Sequence, residues 1–293
     1  MNRASLPLAA AVGSGSLVAV QQRINGDLGQ SLHDPLLAAV VSFGSGLVVM
    51  ACLVVRRSAR QRLPDLHAVP WLQRVGGLGG ATLVGVGATA APKIGVALLT
   101  VGLVAGSTVG ALLVDRAGLG PGGARPLSAP RLLGAGLCLV AITISAHEGL
   151  RSASPLLLGL VVVAGGLISV QQALNGRVRA AAGATVTTFL NFTMGTSALV
   201  IALAVQAGVS GVRTDRWPPE PWLYVGGLIG TIFIAVAALV VATLGVLRFG
   251  LASTAGQLVG AMLLDLHRGV AATTVAATVL TLLAVGVSGR ASR

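Results

Sequence analysis

Gln21-Gln22-Arg23-Ile24-Asn25-Gly26 recurs 150 positions later as Gln171-Gln172-Ala173-Leu174-Asn175-Gly176, and each copy closes a long apolar run. The correspondence continues along the chain. Ser42-Phe43 and Gly46 pair with Asn191-Phe192 and Gly195, and Pro70-Trp71-Leu72 pairs with Pro221-Trp222-Leu223. Gly76-Gly77-Leu78 and Gly80 pair with Gly226-Gly227-Leu228 and Gly230. Gly106, Gly110 and Asp115 pair with Gly256, Gly260 and Asp265. A chain built twice from one unit must fold as two related halves, here 1–150 and 151–293. In apolar sequences such duplication marks transporters with a site between the repeats.

The medium is lipid. Apolar residues make up 54% of the chain, charged residues 10%, and mean hydropathy is +0.89, whereas soluble domains carry about 25% charged residues. A spanning helix needs about 20 mostly apolar residues. The first half supplies such stretches at 5–22, 36–55, 74–92, 94–114 and 131–147. The second supplies them at 154–172, 184–207, 222–242, 249–265 and 270–288. The fold expected is therefore all-α and integral to the membrane, with ten transmembrane helices as two five-helix repeats. Lys93, beside Pro92, divides the third stretch from the fourth as a hairpin. The run ahead of Gln21 could pass for a signal peptide, but its recurrence at 155–176 assigns it to the fold.

Arg and Lys collect in cytoplasmic loops. With ten helices, 14 of the 20 Lys and Arg residues fall on the side holding both termini. That side is expected to be the cytoplasmic one. Five helices per repeat then insert the second half upside down relative to the first, giving inverted repeats. The net charge of +12 is met by anionic lipid at the inner face and calls for no nucleic acid.

An apolar helix followed by Q-x-x-x-N-G, then a helix carrying Phe and small residues, resembles the drug/metabolite transporter superfamily. The chain is most similar to fused two-half members of its bacterial inner-membrane exporter branch, which has the EamA-like fold. That resemblance implies export or exchange of a small molecule across the bacterial cytoplasmic membrane. Members carry a Gly-Gln pair in the fourth helix and an Asp about eight residues on. Gly256, Gln257 and Asp265 match, whereas the first half has Gly106, Ser107 and Asp115.

Polar groups inside a membrane are costly and face a cavity or a partner. Gln21 and Asn25 share a helix face, as do Gln171 and Asn175. With Gln22, Gln172, Asn191 and Gln257 they are the candidates for a substrate path. Two other readings stay open: Asn-Gly can cap a helix, and an amide can cross-link helices for about 0.6 kcal/mol. Asp115 and Asp265 are candidates for a coupling ion, or else solvated charges at helix ends. The other acids map to loops or helix ends, so no carboxylate lies at mid-membrane. The small-x-x-x-small glycines read as helix-packing positions.

The two cysteines fall within spans and form no ligand pair, and the four histidines are scattered. No metal, cofactor, catalytic residue or nucleotide-binding motif is expected. Any driving force is then an ion or solute gradient. With only three Trp, one Tyr and five Phe, an aromatic cage for bulky cations is disfavoured, which leaves a small polar or amphiphilic solute. Translocation of a lipid or lipid-linked head group is the alternative, and an integral-membrane enzyme a remote third. The protein is expected to work as a monomer or homodimer.

Overall fold

His33 and Gly183, equivalent positions of the two halves, both take positive φ, 53° and 81°. Each ends one long helix and admits the next. In this computed structural model residues 5–94, 96–146, 154–211, 217–264 and 272–288 are described. The first half contains α1 (Ser5–Ser31) and α2 (Pro35–Val54), then the short α3 (Arg57–Arg60), a 3₁₀ turn (Pro64–Ala68) and α4 (Trp71–Arg74). It continues with α5 (Gly77–Ile94), α6 (Val96–Arg116) and α7 (Ala129–Ala146). The second half contains α8 (Pro155–Ser210), a 3₁₀ turn (Pro221–Tyr224), α9 (Gly226–Leu244), α10 (Val246–Leu264) and α11 (Ala272–Ser288). Gly183 divides α8 into arms at 155–182 and 184–210.

Helix starts follow local chemistry. Asp34 caps α2, accepting from the amides of Leu36 and Leu37 at 3.0 Å each, with Pro35 at the first helical position. The same carboxylate accepts from Gln206 Nε2 at 2.6 Å, tying α2 to the far end of α8. Gly245, at φ 81° and ψ 165°, separates α9 from α10 in a conformation open essentially to glycine alone.

α1 runs through Asn25 and Gly26 to Ser31, and the first arm of α8 runs through Asn175 and Gly176 to 182. The helices outrun the apolar stretches that end at 22 and 172, as the shared face of Gln21 with Asn25 and of Gln171 with Asn175 requires, and the reading of Asn-Gly as a cap is corrected. The amides face glycines of neighbouring helices, so the polar face is covered laterally and the helix has no reason to stop. Lys93 lies in the last turn of α5 and α6 begins at Val96, while Gly95, on which the expected division turns, lies outside the described residues.

The halves interlock. A Cβ at Gly256 would fall on the Val12 carbonyl of α1, and one at Gly106 would fall on the Val162 carbonyl of α8. Both contacts join helices of different halves, and they map onto each other by a shift of 150. Such approach requires glycine, because lipid supplies no hydrophobic drive and backbones must gain dispersion by proximity. The main core draws on both halves, from Ala11, Val114 and Cys138 to Leu244, Phe249 and Ala284.

The outer surface is greasy. Leu6, Val48, Leu113, Leu156, Ile201 and Val209 are all more than 60% exposed, an apolar area that water would not tolerate on a monomer. Among the described residues, 35–54, 155–209, 221–244 and 246–264 are each long and apolar enough to cross a bilayer. The protein is all-helical and membrane-embedded.

Candidate functional site

Two polar clusters form where the amide motif of one half meets the glycines of the other. In the first cluster Gln21 and Asn25 of α1, with Ser42 of α2, face Gly226 and Gly230 of α9. A Cβ at Gly226 would fall on Asn25 Oδ1 and stand 3.0 Å from Ser42 Oγ. In the second, Gln171 and Asn175, with Asn191 beyond the α8 break, face Gly76 and Gly79. A Cβ at Gly76 would stand 2.6 Å from Asn175 Oδ1, and one at Gly79 would stand 2.8 Å from Gln171 Oε1. Any side chain at these glycines would displace an amide.

A ring pair separates the clusters. Phe43 and Phe192 are tilted at 44° with centroids 5.4 Å apart, within the range where aromatic pairs attract. Phe43 lies over Gly195 and Phe192 over Gly46, reciprocally. Gly230 has both Gln21 Nε2 and Phe192 Cζ in reach of its absent Cβ, at 2.7 and 3.2 Å. Gly80 has Phe43 Cζ at 3.4 Å and Gln171 Oε1 at 3.5 Å. The order is therefore Gln21, Phe192, Phe43, Gln171: polar, apolar, apolar, polar.

Neither cluster satisfies itself. Asn25 Oδ1, Ser42 Oγ, Gln171 Oε1 and Asn191 Nδ2 are buried without a hydrogen-bond partner in the protein. The Gln171 Nε2 to Asn191 Oδ1 bond is long, at 3.5 Å. A buried polar atom without a partner costs about 1–3 kcal/mol, so a solute or water offering donors and acceptors gains at these positions. The clusters also differ in access. Gln171, Gln172, Asn175 and Asn191 are all below 10% exposed, whereas Gln21 and Asn25 are half-buried and Gln22 is exposed. The segment 56–69 packs near the second cluster's end of the molecule, where Ala59, Leu63 and Leu66 meet Ala182, Val186 and Phe189.

The remaining candidates lie elsewhere. Gln257 is half-buried on α10 and donates to Ser253 Oγ one turn back, at 3.5 Å. Asp265 lies outside the described residues. Asp115 is no solvated helix end; it is 3% exposed. Its carboxylate accepts from Arg131 Nη2 at 2.5 Å and from the amides of Val246 and Leu247 at 2.9 and 3.1 Å. It thus caps α10 of the opposite half. Arg125 completes the clasp by donating to the carbonyls of Ala242, Thr243 and Leu244, the last turn of α9. Each ion meets the helix end its charge favours.

Ser42 and the two phenylalanines are site residues that the selection of polar candidates misses. Their signal is present in the repeat, since Ser42-Phe43 and Asn191-Phe192 are equivalent dipeptides.

Two interlocked helical halves in a membrane, exchanging amides and glycines across their interface, define a two-repeat transporter-like protein. The chain belongs to the drug/metabolite transporter family described as "Putative inner membrane exporter, YdcZ", whose profile matches residues 6–144 and again 156–288. Among curated proteins none matches in sequence. A crystal structure of another protein shares the fold, with a TM-score of 0.69 over 97% of this chain and 95% of that one, at 19% identity.

Proposed function

We propose that the protein is a secondary transporter that exports a small polar or amphiphilic solute across the bacterial cytoplasmic membrane. The two arms of α8 and the eight other long helices act as ten spans, five in 1–150 and five in the inverted 151–293. Both termini lie in the cytoplasm. The single observation that carries this reading is the reciprocal pair of amide clusters with a phenylalanine pair between them. A twofold exchange of the halves converts each cluster's surroundings into the other's, so a state with the second cluster open is close in energy to this one. Rocking of the halves about Phe43 and Phe192 then exposes the clusters in turn. The solute meets Gln171, Asn175 and Asn191 from the inner side and leaves past Gln21, Asn25 and Ser42. No chemistry on the solute is involved, and the protein is not an enzyme. Membership of an exporter family supports the direction.

The test is thermal stabilisation of the full-length protein in detergent by a panel of metabolites and amphiphiles. A ligand selective for the folded state adds about 2.7 kcal/mol at a hundredfold excess over its Kd. A soluble compound should raise Tm in the parent, and the rise should vanish in Asn175→Ala or Gln171→Ala variants of unchanged intrinsic Tm. Stabilisation by particular lipids alone would replace this reading with head-group translocation.

A further inference from the structure

Ala59, Leu63, Leu66 and Val69 recur at i, i+4, i+7 and i+10, an apolar stripe in the polar segment between α2 and α5. All four are buried or half-buried. The first three meet Ala182, Val186 and Phe189, on either side of the Gly183 break in α8. The stem of Arg62 lies over the break itself, its Cδ 3.5 Å from where a Cβ of Gly183 would stand. The segment is therefore a strap across the joint between the arm that carries Gln171 and Asn175 and the arm that carries Asn191. Its far end is tied to the same cluster. Arg74 donates from Nε to the Val69 carbonyl at 2.8 Å and from Nη2 to the His67 carbonyl at 3.5 Å. Those bonds make 67–74 one unit, which runs straight into Gly76 and Gly79, the glycines that Asn175 and Gln171 face.

The opposite face of the strap is basic. Arg56, Arg57, Arg60 and Arg62 are all exposed, and none of them is ion-paired among the described residues. Within 56–69 these four arginines stand against one acid, Asp65, whereas the corresponding stretch of the second half, 206–220, has two arginines against two acids. Trp71 and Leu72, where the strap joins α5, are 68% and 59% exposed. A tryptophan exposed at the end of a span sits at the level of the lipid head groups. Clusters of about 4–8 basic side chains beside a span are drawn to anionic lipid, and the attraction fades within a Debye length. Guanidinium groups add paired hydrogen bonds to phosphate oxygens.

We propose that the strap is a docking surface for anionic phospholipid head groups, and that docking keeps the second amide cluster covered. The position seen here satisfies both faces at once, the apolar stripe resting on α8 while the arginines reach lipid phosphate. Uncovering the cluster lifts the strap from α8 and ends that simultaneous fit. A ligand shifts a conformational equilibrium toward the state it binds better, so anionic lipid favours the covered state. The corresponding stretch of the second half lacks the charge excess, so the lipid acts on one end of the molecule and biases which cluster is accessible. What the strap controls rests on the transport reading; its docking on lipid does not.

The experiment places the full-length protein in nanodiscs of phosphatidylcholine with a rising fraction of phosphatidylglycerol. Two cysteine reporters are followed in a Cys52→Ser background, with an uncharged maleimide on which the lipid charge does not act. Ser58→Cys reads the strap and Gln172→Cys reads the cluster. Both labelling rates should fall saturably, by about fivefold or more. Sodium chloride at about 1 M, where the Debye length is about 3 Å, should restore them. Arg57→Gln combined with Arg60→Gln should weaken the response about tenfold or more, since each basic side chain near an anionic surface is worth about fivefold. Lysine at both positions keeps the charge and should keep the response. A fall of the Ser58→Cys rate alone overturns control of the cluster. No fall of either rate, or a fall undiminished in the glutamine variant, overturns the proposal. Absent responses beside intact metabolite stabilisation would sink this inference and leave transport standing. Both responses in a protein that no solute stabilises would uphold the strap and sink the transport reading.

Discussion

At the scale of single residues Asp115 carries the sharpest consequence. A carboxylate that carried a coupling ion would have to shed its partners during the cycle. Asp115 instead holds Arg131 and two amides of α10 at once. Breaking a buried ion pair by removing one member costs about 3–5 kcal/mol. Asp115→Ala should therefore lower the unfolding free energy by about that amount in denaturant titration. A folded variant of parental stability that had lost only ion dependence would restore the coupling role. The sequence could place Asp115 at the end of a helix but could not name its partners. Those amides lie 131 and 132 positions away, and the Asp115–Arg131 pair leaves no periodic signature. The amide motif was readable for the opposite reason: repetition marked it twice.

At the scale of helices the interface glycines separate packing from propensity. Gly256 and Gly106 each lie against a carbonyl of the other half, whereas Gly13, one position beyond Val12 on α1, has open space around it. Gly→Ala raises intrinsic helix propensity at all three. Only at Gly256 and Gly106 does the added carbon meet backbone. Overpacking of a tight contact costs about 1–3 kcal/mol. Gly256→Ala and Gly106→Ala should thus lower Tm to similar extents, while Gly13→Ala should leave it unchanged or slightly raised. Unequal losses at the two interface positions would contradict the reciprocity of the halves. The small-x-x-x-small spacing made these glycines legible as packing positions. The helix ends were less so, because hydropathy stops counting at Gln21 and Gln171 while the hydrogen-bonded helix does not. Polar side chains that find partners sideways extend a helix beyond its apolar run.

At the scale of the whole molecule, two equivalent clusters sit in unequal surroundings. The segment 56–69 covers the second cluster's end of the molecule, and under the proposed cycle a conformational preference of the halves adds to the difference. Gln21, Gln22 and Asn25 are more accessible than Gln171, Gln172 and Asn175, which under the proposed cycle and topology corresponds to an outward-facing state. Cysteine accessibility reads this directly. Cys52 is exposed and Cys138 buried, so a Cys52→Ser background leaves little competing reactivity. In that background Gln22→Cys should react with a membrane-impermeant maleimide from the outside of intact cells, about tenfold or more faster than Gln172→Cys does in inside-out vesicles. A ratio of ten corresponds to about 1.4 kcal/mol between the two states. Addition of a transported solute should bring the two rates together, because a cycling protein spends time in both states and a ligand shifts their populations by its differential affinity. Equal rates at rest would mean that the asymmetry of the clusters is not a conformational preference. A Gln22→Cys that reacts only from the cytoplasmic side would invert the proposed topology and, with it, the direction in which the solute passes the two clusters.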